Sequence, residues 1–155
     1  QRMAERRLRT TAAREPSPKM LHNDSHNYPS AVVGVPVEDS PSVMLNPLVG
    51  SKLGIWVAHG EGKFSFPSQN GAPDWSKFKF AVRYNYNTYP GNPNGSPNAI
   101  AGVVSADGRH LAMMPHPERC LRPWNWAYYS GDAMDDVTPW VYMFVAARKW
   151  CEKFK

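Results

Sequence analysis

Proline sets the first limit on this chain. Each of its fifteen prolines removes a backbone donor and fixes φ near about −65°, and fifteen in 155 residues is about twice the roughly 5% of average usage. Helix is therefore expected only near the two ends, over residues 2–13 ahead of Pro16 and Pro18 and again after Pro139, with short strands and shaped loops between. Six Trp, seven Tyr and six Phe supply more aromatic surface than disordered chains carry, so the interrupted elements should still close on a core. The length suits one compact domain and excludes a multidomain enzyme.

No run approaches the roughly 20 apolar residues that cross a bilayer, and the opening residues have no apolar core of the signal-peptide kind, so a soluble, cytoplasmic protein with no membrane partner is expected. Cys120 and Cys151 are too few for a disulfide framework and match no zinc spacing. The net charge of +5 is uneven: residues 1–19 carry Arg2, Arg6, Arg7, Arg9, Arg14 and Lys19 against Glu5 and Glu15, hence +4, leaving +1 for the rest. A basic arm on a near-neutral body could touch phosphates, but a solvated helix face explains it as well, and nucleic-acid binding ranks low.

Along the chain, Ala31–Val37 and Ser42–Leu45 read as two short strands. Leu53–Ala58 is continuously apolar and runs into His59-Gly60-Glu61-Gly62, as a strand buried on both faces ends in a functional loop, which predicts a parallel sheet. Phe64–Phe66, Phe80–Tyr86 and Ala99–Ser105 read as further strands, and the turn-rich segment Thr88–Asn98 as a shaped loop. Asp107-Gly108 should close a hairpin onto His110–Met114. After Pro139, helical spacing places Trp140, Phe144, Ala147, Trp150, Cys151 and Phe154 on one apolar face, with Arg148, Lys149, Lys153 and Lys155 near the end where the helix dipole favours them.

The segment MMPHPER, Met113–Arg119, delivers His116 and Glu118 from an apolar strand into a loop. Pro117 restricts His116 to extended backbone, and residues two apart in extended backbone project to the same side, so imidazole and carboxylate can meet. A carboxylate fixes the histidine tautomer and stabilises its protonated form, which readies a general base for a Cys or Ser nucleophile. Spacing alone leaves a blander arrangement open, in which His116 caps a strand end and Glu118 pairs with Arg119 or Arg122. His22 and His26, with Asp24 between them, have a metal-like spacing, but Asn23, Asn27 and Pro29 make this a loop, and no metal is expected.

MMPHPER, WVAHGEGKF (Trp56–Phe64), TYPGNPNGSPNAIAGV (Thr88–Val103) and MLHNDSH (Met20–His26) together closely resemble, in the family's order, the glutaminase domain of the phosphoribosylformylglycinamidine synthase family. The resemblance spans nearly the whole chain. It implies an α/β fold, a partial class I glutamine amidotransferase (flavodoxin-like) domain lacking its first strands and nucleophile elbow. Residues 1–155 would then be the C-terminal portion of a glutaminase domain, with 1–19 as its basic N-terminal segment.

The resemblance further implies a Cys-His-Glu triad in which His116 and Glu118 are the catalytic members. Gln1, Met3, Glu5 and Leu8 resemble the start of the helix that follows the family's nucleophile, which places that cysteine just before residue 1 and leaves the chain alone inactive. Cys120 and Cys151 read as structural. His59, Gly60 and Glu61 would bind the glutamine substrate, with a structural turn at positive φ as the competing reading. Asn94, Gly95 and Ser96 would shape the pocket or the synthetase contact.

The implied function is supply of ammonia from glutamine for ATP-dependent amidation of formylglycinamide ribonucleotide in purine biosynthesis, partnered by the synthetase domain. No cofactor belongs to this chain, ATP and Mg acting in the synthetase part. The alternatives are a non-catalytic binding module that docks on a synthetase with the retained fold, or weak nucleic-acid binding through the basic arm.

Overall fold

In the computed structural model, residues 17–69, 71–131 and 135–153 are described. The expected helix over 2–13, most of the basic segment, and Phe154 and Lys155 lie outside them. The chain is mixed α/β. In order come β1 (Lys19–His22), β2 (Ser30–Pro36), β3 (Lys52–Ala58), β4 (Glu61–Ser65), the two-residue strands β5 (Ser68–Gln69) and β6 (Ala72–Pro73), β7 (Lys79–Arg83), β8 (Ile100–Val104), β9 (Leu111–Met113) and a terminal helix α1 (Val141–Glu152). Short 3-10 turns fill several of the gaps, three of them with proline in the first turn ahead of β8 and α1. No helix among the described residues is long and apolar enough to cross a membrane.

The run Leu53–Ala58 is a strand, but it pairs antiparallel with β2, Val33 facing Ile55 and Ala31 facing Val57. Every strand pairing among the described residues is antiparallel. The apolar continuity that suggested a parallel sheet has another cause: Ile55 and Val57 enter the core, while the opposite face of β3 is covered by loop 116–126, Trp126 packing on Gly54. Ser42–Leu45 is a turn instead of a strand. The Ser42 hydroxyl accepts the Leu45 N–H at 3.3 Å and its carbonyl accepts the Asn46 N–H, an arrangement that competes with a ladder and leads into a 3-10 turn at Asn46–Leu48.

The expected hairpin is present, with Val104 opposite Leu111 and Gly102 opposite Met113, and Gly108 takes φ +74° in its turn. β7 stops at Arg83, short of Tyr86, where the loop begins.

The main core gathers Val35 and Val37, Leu45 and Leu48, Ile55 and Val57, Ala81 and Val82 around Trp140 and Met143. A smaller aromatic cluster lies under β4, where Phe66 meets Trp75 and Phe78 edge-on with ring centres 5.2 and 4.9 Å apart. Helix α1 buries a different stripe from the one expected. Positions three and four beyond Trp140 lie to either side of it on a helix, and packing selects Met143, leaving Phe144 exposed. Cys151, expected in the core, is exposed for the same reason. Trp140 anchors the helix to the sheet by donating its indole N–H to the Gly54 carbonyl at 2.8 Å.

Candidate active site

β3 carries the site at its end. The His116 N–H donates to the Trp56 carbonyl at 2.8 Å in an isolated antiparallel bridge, which draws the segment after β9 alongside the last residues of β3. His116 is extended, φ −106° and ψ 86°, as Pro117 requires, and Pro117–Arg119 turn as a 3-10 helix behind it. That turn returns Glu118 to the imidazole, with Glu118 Oε1 2.7 Å from His116 Nδ1. The Arg119 guanidinium is also near the same oxygen, at 3.8 Å, so the blander pairing is present as a longer, secondary contact. With Nδ1 donating to the carboxylate, Nε2 carries the lone pair and is the ring atom that can take a proton.

Three residues along β3 from Trp56, the turn His59–Gly62 connects to β4. Neither Gly60 nor Gly62 takes positive φ, so left-handed backbone does not account for these glycines. Close approach accounts for Gly62: a Cβ there would sit 2.7 Å from His59 Nδ1. His59 is 7% exposed, and neither ring nitrogen has a hydrogen-bond partner. Burial pushes its pKa below the usual histidine value and the neighbouring His116 adds to the effect, its own backbone opposing them, so the ring is neutral. Gly60 lies against Tyr28, whose hydroxyl donates to the Ala58 carbonyl at 2.7 Å. Glu61 is exposed, 3.5 Å from His22 Nδ1.

Buried asparagines tie the remaining motifs to this turn: Asn94, expected to shape the pocket, and Asn23 and Asn92, to which the sequence reading gave no such role. Asn23 donates to the His59 carbonyl and accepts from the Gly62 N–H. Asn94 donates to the Gly62 carbonyl at 2.7 Å and to the Tyr84 hydroxyl at 3.1 Å, while its side-chain oxygen accepts the Ser96 N–H. The Ser96 hydroxyl accepts the Phe64 N–H at 2.9 Å, and Asn92 holds the Ser96 carbonyl at 2.8 Å. Gly95 has φ +76°, and a Cβ there would meet the Asp24 carboxylate that grips Lys63 at 2.7 Å. The only signal for these roles in the sequence is that the asparagines sit inside the four family-like motifs.

The two cysteines differ in placement, and one lies against the backbone of the dyad itself. The Cys120 thiol is buried, accepts the Trp56 N–H at 3.3 Å and lies 3.5 Å from the His116 carbonyl. Burial pushes its pKa up to about 11, with Glu118 adding to the rise and the Trp56 N–H opposing it, so it stays protonated. Cys151 is on α1. Among the described residues no group of three or more His, Cys, Asp or Glu side chains could hold a metal, and His26 stands in a turn at φ 53° while His22 ends β1.

Residues 4–151 match the CobB/CobQ-like glutamine amidotransferase domain family. The chain is 42% identical over 146 residues to the probable phosphoribosylformylglycinamidine synthase, chloroplastic/mitochondrial, of Arabidopsis thaliana, covering 87% of this chain and 10% of that protein. It is 43% identical over 140 residues to the phosphoribosylformylglycinamidine synthase of Homo sapiens, covering 84% of this chain and 10% of that protein. The chain thus spans about a tenth of the length of these curated relatives. Among solved structures it superposes on a chain of PurLQS from Thermotoga maritima with a TM-score of 0.65 at 24% identity, over 87% of this chain and 53% of that one. This likeness bears out the α/β fold class, as one part of a larger fold.

Proposed function

The chain belongs to the CobB/CobQ-like glutamine amidotransferase domain family, and on that premise we propose that it is the glutaminase portion of a phosphoribosylformylglycinamidine synthase, supplying ammonia from glutamine for ATP-dependent amidation of formylglycinamide ribonucleotide. The observation that carries this reading is the 2.7 Å contact between His116 Nδ1 and Glu118 Oε1, beside a turn that presents a second, neutral imidazole.

In this reaction a cysteine thiolate attacks the side-chain amide carbon of glutamine. The C=O π electrons move to oxygen, and the resulting oxyanion is held by backbone N–H donors. His116, charged after accepting the thiol proton, returns it to the amide nitrogen as the C–N bond breaks, releasing ammonia and leaving a thioester. His116 then takes a proton from water as that water attacks the thioester carbon and passes it to the sulfur as the C–S bond breaks, releasing glutamate and regenerating the thiol. Glu118 keeps the ring turned with Nε2 forward and stabilises its cationic form. His59, Gly60 and Glu61 line the amino-acid end of the substrate.

The nucleophile is neither cysteine of the chain. The burial of Cys120, which is held protonated, supports a reading in which the reactive cysteine precedes residue 1 and the 155 residues alone are inactive. The synthetase part is the partner that consumes the ammonia, and the cytoplasm is the proposed compartment. The test is glutamate release from glutamine by the complete polypeptide that the gene encodes, with and without His116→Ala. Unchanged release in the variant would sink the reading, and appreciable release by the 155 residues alone would overturn the placement of the nucleophile.

A further inference from the structure

The MLHNDSH motif has no task in the reaction just described, yet its asparagine side chain makes three hydrogen bonds at the site, as many as Asn92 or Asn94. Asn23 is buried. Its Nδ2 donates to the His59 carbonyl at 2.7 Å and to the Asn27 carbonyl at 3.2 Å, and its Oδ1 accepts the Gly62 N–H at 3.1 Å. Its backbone N–H donates to the Gly60 carbonyl at 2.9 Å. One residue therefore holds the first, second and last positions of the turn 59–62, while Asn94 holds the Gly62 carbonyl from the other side.

β3 and β4 pair with different strands and not with each other, so no ladder closes the connection between them and the Asn23 bonds hold it. The same grip fixes the His59 ring. With the Gly62 peptide pinned on both sides, the ring packs where any side chain at 62 would stand, a Cβ meeting Nδ1 at 2.7 Å and Cε1 at 2.8 Å. The ring is near enough to His116 for a charge on that imidazole to oppose protonation of His59, and both His59 nitrogens are buried without partners. An unpaired buried polar atom is unfavourable, and a fold keeps one where its position serves something else.

We propose that Asn23 is a positioning residue of the glutamine site, holding the His59–Gly62 turn in the shape that sets His59 beside His116 and presents the turn to the substrate. The assignment rests on the glutaminase reading above. It also explains the residue type. The turn offers a carbonyl and an N–H to one side chain, and only a carboxamide of this length answers both; Asp supplies the acceptor but sets a second oxygen against the His59 carbonyl, and Ser is too short.

The experiment uses the complete polypeptide, assayed for glutamate release across glutamine concentrations, with melting temperatures measured alongside. Asn23→Asp is expected to raise KM for glutamine about tenfold or more while kcat falls by a smaller factor. Gly62→Ala, which displaces the ring while the Asn23 side chain itself is unaltered, should give the same split. A folded Asn23→Asp protein with unchanged KM, or one losing kcat and melting temperature with KM intact, overturns the assignment. Should Asn23→Asp not fold, an unchanged KM in Gly62→Ala overturns it equally. His116→Ala separates the premise from the inference, since full activity in that variant refutes the glutaminase reading itself.

Discussion

β3 and the turn that follows it are held by opposite means. Within the strand, Ile55 and Val57 pack among Val35, Leu45, Val82, Trp140 and Met143, where shape and apolar area do the holding. Beyond its end, the turn His59–Gly62 and the loops around it are held by asparagine and serine side chains bonded to backbone groups, with little apolar contact of their own. Apolar packing is non-directional and tolerates a swap of similar volume. A carboxamide that satisfies two peptide groups at once has no close substitute. The first kind of region stabilises the chain, and the second sets angles and distances, which is what chemistry needs.

The widest separation between the two should come from His116→Ala. Glutamine-dependent turnover in the complete polypeptide should fall on the order of 10³-fold or more, with the melting temperature nearly unchanged, because the ring is partly exposed and supports no core. A variant that melts much earlier would merge the two regions. Trp140→Ala should do the reverse, losing about 3–5 kcal/mol in denaturant unfolding while the remaining folded protein keeps its KM for glutamine. A smaller and sharper contrast adds one methyl group at the loops and removes one from the core. Gly95→Ala, at φ +76° and against Asp24, should cost about 1–3 kcal/mol, whereas Ile55→Val should cost about 0.5–1.5 kcal/mol and leave kinetics alone. Equal kinetic effects in that pair would refute the division.

The smallest effect concerns pH. The folded state holds the His59 pKa below its unfolded value of about 6.5, so the unfolded chain binds a proton first as the solution is acidified. Stability from this group is fully present above that unfolded value and is lost as pH falls through the folded one. Melting temperatures followed from pH 8 to pH 5 should therefore decline more steeply in the wild type than in His59→Gln, and parallel curves would count against a neutral, buried ring.

Much of the apolar half is legible in the sequence. Alternating Val residues mark β2, the Asp-Gly turn marks the β8–β9 hairpin, and Pro139 marks the onset of α1, because each is a local rule with few competitors. The approach of His116 to Glu118 is legible as an outcome but not in its cause: His116 is extended as Pro117 requires, whereas a 3-10 turn over Pro117–Arg119, and not continued extended backbone, brings the carboxylate back to the ring. Pairing direction is not, because an apolar run reports coverage on both faces and says nothing about which neighbour supplies it. The buried stripe of α1 escapes as well, since Met143 and Phe144 both flank Trp140 and only the packing partner decides between them. Least legible is the asparagine clasp: Asn23, Asn92 and Asn94 lie in segments whose composition reads as ordinary loop, and Asn23 and Asn94 reach partners at His59 and Gly62 that are distant in sequence.

The outward placement of Cys151 has a practical side. An electrophilic probe offered to this protein, whether a maleimide tag or a covalent glutamine mimic, meets an accessible sulfhydryl on the terminal helix, while Cys120 is shielded. Screening for active-site modifiers should begin from a Cys151→Ser background, in which residual labelling reports on the chemistry of interest.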